Sequence, residues 1–231
     1  DVFRAIALLT IFVNHVPGQY LEHLTHKNFG FSDSAEAFVL ISGISTGLAY
    51  GPAYLQGATL ATALRPWRRA FTLWWVQAIV VFAIFLMIAV SKDNPAIAAM
   101  ALDRNVTPAL ENPAKLLIPL LFFGHQFSCA DILPLYIVLM LAAPAILQLG
   151  VRMPVALMTA SLLLWLVVGL AAINLPTWPL YDHWFFNPLA WQVLFVAGIL
   201  AGIAKRQRRS LLPVRPLPLV LAALFLLFAL L

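Results

Sequence analysis

Charge is scarce in this chain: 10% of its 231 residues are Asp, Glu, Lys or Arg, against about 25% in an ordinary soluble domain. That deficit excludes a conventional water-soluble globule. With 63% hydrophobic residues and a mean hydropathy of +0.93, the sequence reads as a polytopic membrane protein. A single cysteine, Cys129, excludes an intramolecular disulfide and any cysteine-based metal site. Acidic residues are outnumbered 14 to 9, giving a net charge of +5. The excess does not point to nucleic acid, because the basic residues fall between apolar segments, where they act as topology signals. No His-x-x-x-His or Glu-x-x-His pair falls within a predicted helix, so no metal is expected. Internal repeats and low-complexity linkers are lacking. So is a cleavable signal peptide, since the first apolar segment carries Arg4 and no small-residue cleavage site. The chain starts without Met and stops inside an apolar run. One transmembrane domain over 1–231, truncated at both ends, is therefore expected.

What is present is a series of seven apolar segments: 2–16, 35–50, 70–90, 132–149, 154–173, 189–204 and 216–231. Most approach the ~20 residues that cross hydrocarbon as a helix, so the predicted fold is an all-α bundle of about seven spans. Arg65, Arg68 and Arg69 fall between the second and third segments, and Arg152 between the fourth and fifth. Lys205, Arg206, Arg208, Arg209 and Arg215 fall between the sixth and seventh. The positive-inside rule places these loops, and the N-terminus, in the cytoplasm. All five histidines then fall on the opposite half. The long connection 91–130 contains a short apolar stretch, 116–123, expected to be re-entrant or interfacial. The stretch containing Pro176, Trp178, Trp184 and Phe186 reads as an aromatic interfacial belt.

Within the first segment Arg4 and His15 are eleven residues apart. Eleven helical steps bring them to one face, about 16 Å apart along the axis. Ionisable groups in a span are costly and mark function by default. Pro17 and Gly18 end this helix, and the next begins near Ser32 or Asp33, with Asp33 and Glu36 sharing its first turn. A helix N-terminus favours both carboxylates, yet Glu36 lies deeper than simple capping demands. A carboxylate from Asp33 or Glu36 on one imidazole nitrogen would make His15 a general base for an alcohol. The plain alternative is a structural hydrogen bond between two helices. Arg4 has its own alternative, snorkelling to headgroups. The Gly43–Gly47 pair reads as helix packing. Asp131 stands at another outer helix start, near His125, where it can cap or bind a sugar hydroxyl. Asp182 and His183 could bind a sugar or form a wet loop.

The run from Arg4 through His15-Val-Pro-Gly18, then Asn28-Phe-Gly-Phe-Ser-Asp33-Ser-Ala-Glu36-Ala-Phe to Ser42-Gly43, resembles the OpgC family of membrane acyltransferases, related to the acyltransferase 3 superfamily. Asp131-Ile-Leu-Pro134-Leu-Tyr136 is also similar to it. The resemblance implies a bundle of about ten spans in the bacterial inner membrane. It implies O-acyl transfer, succinylation for OpgC members, from cytoplasmic acyl-CoA to a hydroxyl of an osmoregulated periplasmic glucan. By position His15 would be the catalytic base, oriented by Glu36 or Asp33. Arg4, with Arg65, Arg68 and Arg69, would hold the donor, succinyl-CoA or acetyl-CoA. Asn14, Asn28, Ser42, Asp131 and His125 would serve the acceptor or the oxyanion. The partners expected are therefore the lipid bilayer, acyl-CoA and a glycan, with no nucleic acid and no permanently bound cofactor. The rival reading is a non-enzymatic carrier using the His and carboxylate groups as a proton relay. The absence of ionisable residues inside the third, fifth and sixth segments counts against it.

Overall fold

A computed structural model describes residues 2–16, 20–25, 28, 33–57, 59–91, 93–128, 130–178 and 183–209, with 220, 224–225 and 227–228. The elements are α1 (Val2–Asn14), a 3₁₀ turn (Tyr20–Leu24), α2 (Ser34–Leu55), α3 (Leu60–Val90), α4 (Pro95–Asp103), α5 (Thr107–Glu111), α6 (Pro113–Leu121), α7 (Ile132–Arg152), α8 (Pro154–Leu170) and α9 (Pro188–Arg206). No strand occurs among the described residues; Pro176 and His183 form an isolated bridge. The all-helical class is as expected.

Four helices, α2, α3, α7 and α9, are long and apolar enough to cross a membrane. Two more of the seven expected segments, α1 and α8, are apolar but shorter. Of the segment 216–231 the described residues are 220, 224–225 and 227–228. The stretch 116–123 contributes to α6, whose nine residues rise only ~14 Å and cannot span.

The largest departure concerns α3. Arg65, Arg68 and Arg69 stand inside this 31-residue helix, not in a loop before it. Thr59 caps it: the Thr59 side chain accepts from Thr62 N–H, and Thr62 Oγ1 accepts from Thr59 N–H. At 1.5 Å per residue α3 is about 46 Å long, well beyond the ~30 Å of hydrocarbon. The helix is thus long enough to cross hydrocarbon without its basic first turns. A low-hydropathy stretch looks like a loop in sequence even when the helix continues through it.

The chain divides into two compact units: residues 1–58, 145–159 and 193–231, and residues 59–144 with 160–192. In the first, α2 crosses α9 at almost bare backbone. Gly43 and Gly47 lie against the carbonyls of Phe195 and Ile199, and Gly198 and Gly202 answer against those of Leu40 and Ile44. A Cβ at Gly202 would sit 2.5 Å from the Ile44 oxygen, so only glycine allows this approach. At the end of α9, Arg206 donates from Nε to the Leu48 carbonyl at 3.0 Å.

In the second unit Val81, Ile88, Ala101, Val106, Ala109, Leu116 and Phe127 form the buried core between α3 and the short helices. Indole N–H groups of α3 fasten it to its neighbours. Trp67 donates to the Leu141 carbonyl at 2.9 Å and Trp74 to that of Leu121 at 2.8 Å. Ser161 and Gln192 exchange two bonds, 2.6 and 2.9 Å, between α8 and the start of α9. Trp184, expected in an interfacial belt, is instead buried edge-on to Phe123 at 6.3 Å.

Candidate active site

The end of α1 and the start of α2 carry the polar cluster that the sequence singled out. α1 ends at Asn14, and α2 begins just after Asp33. Asn14 donates from Nδ2 to Asp33 Oδ1 at 3.1 Å. Its own Oδ1 accepts from the Thr25 hydroxyl at 2.7 Å. Asn28 joins through its side-chain amide and its backbone N–H, both donated to the Thr25 carbonyl at 3.2 Å. A single amide thus ties the end of α1, the turn after it and the cap of α2.

Asp33 and Glu36 form a capping box. The Asp33 side chain accepts from the first N–H groups of α2, including Ser34 at 2.5 Å, and Glu36 Oε2 accepts from Asp33 N–H at 2.8 Å. This corrects the expectation that Glu36 lies too deep for capping. Its side chain reaches back three residues, as the Asp-x-x-Glu spacing permits, and satisfies a backbone donor that would otherwise be orphaned.

His15 follows directly on α1. Its Nδ1 lies 2.8 Å from the Ile11 carbonyl oxygen, four residues back. A carbonyl can only accept, so Nδ1 carries a proton, and in the neutral ring the lone pair falls on Nε2. Among the described residues neither Asp33 nor Glu36 bonds to this ring; the Ile11 carbonyl takes the orienting role expected of a carboxylate. The ring is exposed. In its neutral form this imidazole has a fixed tautomer, with the lone pair on Nε2 of an exposed ring.

The other predicted residues are distributed as follows. Arg4 is half-buried on α1, eleven residues from His15, or about 16 Å of helical rise. Ser42 is fully buried in α2, and its Oγ has no hydrogen-bond partner among the described residues. Arg65, Arg68 and Arg69, all exposed, belong to the second unit, as do His125 and Asp131. Asp131 is buried immediately before α7. His125 is 1% exposed, with Nε2 2.9 Å from the Asn105 carbonyl and Nδ1 without a partner among the described residues. Burial pushes its imidazole below the ordinary 6.5, and the bond to the Asn105 carbonyl pulls the other way. Asp182 lies outside the described residues, and Cys129 does too.

Sequence reasoning missed Thr25 and underrated Asn14. Thr25 is not ionisable and did not stand out, and Asn14 was given a role toward the acceptor or the oxyanion where it makes the helix tie. The signal available was the polar pair Asn14-His15 just before the helix-ending Pro17-Gly18.

A family model described as OpgC protein matches the chain over residues 1–231. No curated protein and no solved structure matches it.

Proposed function

The chain belongs to the OpgC family, and from that premise we propose a multi-pass O-acyltransferase of the inner membrane, N-terminus cytoplasmic, that moves an acyl group, succinyl on the family analogy, from acyl-CoA to a periplasmic glucan hydroxyl. The observation that carries the residue assignment is His15, exposed, with Nδ1 held by the Ile11 carbonyl so that the neutral ring has its lone pair on Nε2.

In this reading His15 Nε2 removes the proton of an acceptor hydroxyl, whose oxygen attacks the thioester carbonyl carbon. The tetrahedral intermediate collapses, the C–S bond breaks, and the departing thiolate takes the proton back from His15. The products are the glucan ester and free CoA thiol. Arg4, on the same helix, binds donor phosphate, and the helical rise between them gives the pantetheine arm its span. Asn14 is a positioning residue. It fixes the end of α1 against the cap of α2 and so sets where His15 stands. Asp33 and Glu36 hold that cap and take no proton.

The test is transfer of label from succinyl- and acetyl-CoA to glucan in membrane vesicles. Wild type is expected to transfer, and His15→Ala, with folding checked, is expected not to. Transfer surviving in folded His15→Ala would make His15 a structural residue and sink the assignment.

A further inference from the structure

Helix α3 combines two features that the acyl-transfer chemistry does not use. Its first turns expose Arg65, Arg68 and Arg69, and no acidic residue occurs in the sequence between Glu36 and Asp93 to neutralise them. Further along the same helix, Ala78, Val81, Phe82 and Phe85 line one wall of a cavity of about 200 Å³, closed on the other side by Ala109 and the α6 residues Leu117 and Leu120. Its lining residues are all apolar. It exceeds the ~150 Å³ that holds a benzene-sized apolar guest, and its walls give water nothing to bond. Phe82 and Leu117, 64% and 58% exposed, stand at its mouth.

The two features are joined by one stripe. Arg68, Phe71, Trp75 and Phe82 follow at intervals of three, four and seven, a spacing that keeps them on one helical face. Phe71 and Trp75 are both exposed, with rings edge to face at 6.2 Å. From Arg68 to the near edge of the cavity at Ala78 is ten residues, about 15 Å of helical rise, the depth of one leaflet's hydrocarbon. The Trp74 indole, bonded to the Leu121 carbonyl, fastens α3 to the end of α6 and so holds the cavity wall in place.

We propose that this face of α3 is a binding site for an anionic phospholipid of the bilayer. The phosphate sits on Arg65, Arg68 and Arg69, and one acyl chain runs along Phe71 and Trp75 into the cavity behind Phe82. Arginine forks match phosphate oxygens, and a cationic cluster beside a membrane favours anionic lipids by roughly a fewfold per residue. A chain end of apolar carbon fits walls that offer no hydrogen bond. The site is independent of the acyl-transfer reading, which uses His15 and Arg4.

Native mass spectrometry of the whole chain in detergent micelles, titrated with dioleoyl phosphatidylglycerol or dioleoyl phosphatidylcholine, tests this. Wild type is expected to bind the glycerol lipid at least ~10-fold more tightly. Arg65→Gln/Arg68→Gln/Arg69→Gln is expected to bring it to the choline level. Arg68→Gln alone, a single exposed change, should lose ~3- to 5-fold. Leu117→Trp, which blocks the mouth, should weaken both lipids and keep their ratio. Equal binding of the two lipids by wild type, or a ratio unmoved by the triple substitution, overturns the proposal. Displacement of the bound glycerol lipid by CoA would also overturn it, because the arginines would then be donor contacts.

Discussion

His15 and His125 are anchored alike and placed in opposite surroundings. Each gives one ring N–H to a backbone carbonyl, Ile11 at 2.8 Å and Asn105 at 2.9 Å, which in the neutral ring puts the lone pair on the other nitrogen. His15 is exposed at the end of α1, whereas His125 is 1% exposed beneath the loop that precedes α7. Anchoring fixes a tautomer; access decides what the free nitrogen can do. A basic nitrogen open to an incoming hydroxyl can serve as a general base, while a sealed one can only shape the fold.

The comparison breaks most visibly on activity. His15→Ala is expected to lower acyl transfer by about 10²- to 10⁴-fold, the usual contribution of a positioned base, with little change in stability. His125→Ala should do the reverse. It strips the Asn105 carbonyl of its partner and costs about 1–3 kcal/mol, measured as a lower unfolding midpoint in detergent, while the folded fraction keeps its specific activity within a fewfold. Equal activity losses in the two variants would erase the distinction.

Acidity sharpens it next. The His125 imidazole has its pKa lowered in the fold, so the unfolded chain binds the proton more readily than the native one. Its contribution to stability is therefore present above the ordinary value of 6.5 and is lost as pH falls below it. Thermal midpoints should decline on acidification in wild type and decline less steeply in His125→Gln.

Smaller effects belong to the amide and the cap. Asn14→Ala severs the tie from α1 to Asp33 and Thr25. Transfer should fall by about tenfold or less, with stability lower by ~0.5–1.5 kcal/mol. Asp33→Asn should be nearly silent, because asparagine caps as well as aspartate, while Asp33→Ala should cost ~0.5–2 kcal/mol. Assays of both Asp33 variants decide whether the carboxylate charge matters. A large loss in Asp33→Asn would restore it to the chemistry.

The sequence made the helical class, four of the seven apolar spans and the Gly43–Gly47 packing legible, because each depends on composition or on short-range spacing. The capping box was legible too. Asp33-Ser-Ala-Glu36 carries that signature, but an acid beside an apolar run and near a histidine invites a catalytic reading first. The start of α3 was not legible, since three arginines depress hydropathy whether or not the helix continues. The partner of His15 was hidden for another reason. Every helical histidine has a carbonyl four residues back, and only geometry shows that Ile11 takes the bond while Asn14, its neighbour, reaches Asp33.

The most direct measurement is histidine modification by diethyl pyrocarbonate in membrane vesicles, with sites mapped by mass spectrometry while transfer of labelled acyl groups is followed on the same samples. The account predicts rapid modification of His15, protection of His125 until the protein unfolds, and loss of transfer in step with His15 alone. Transfer that persists once His15 is fully modified would contradict it.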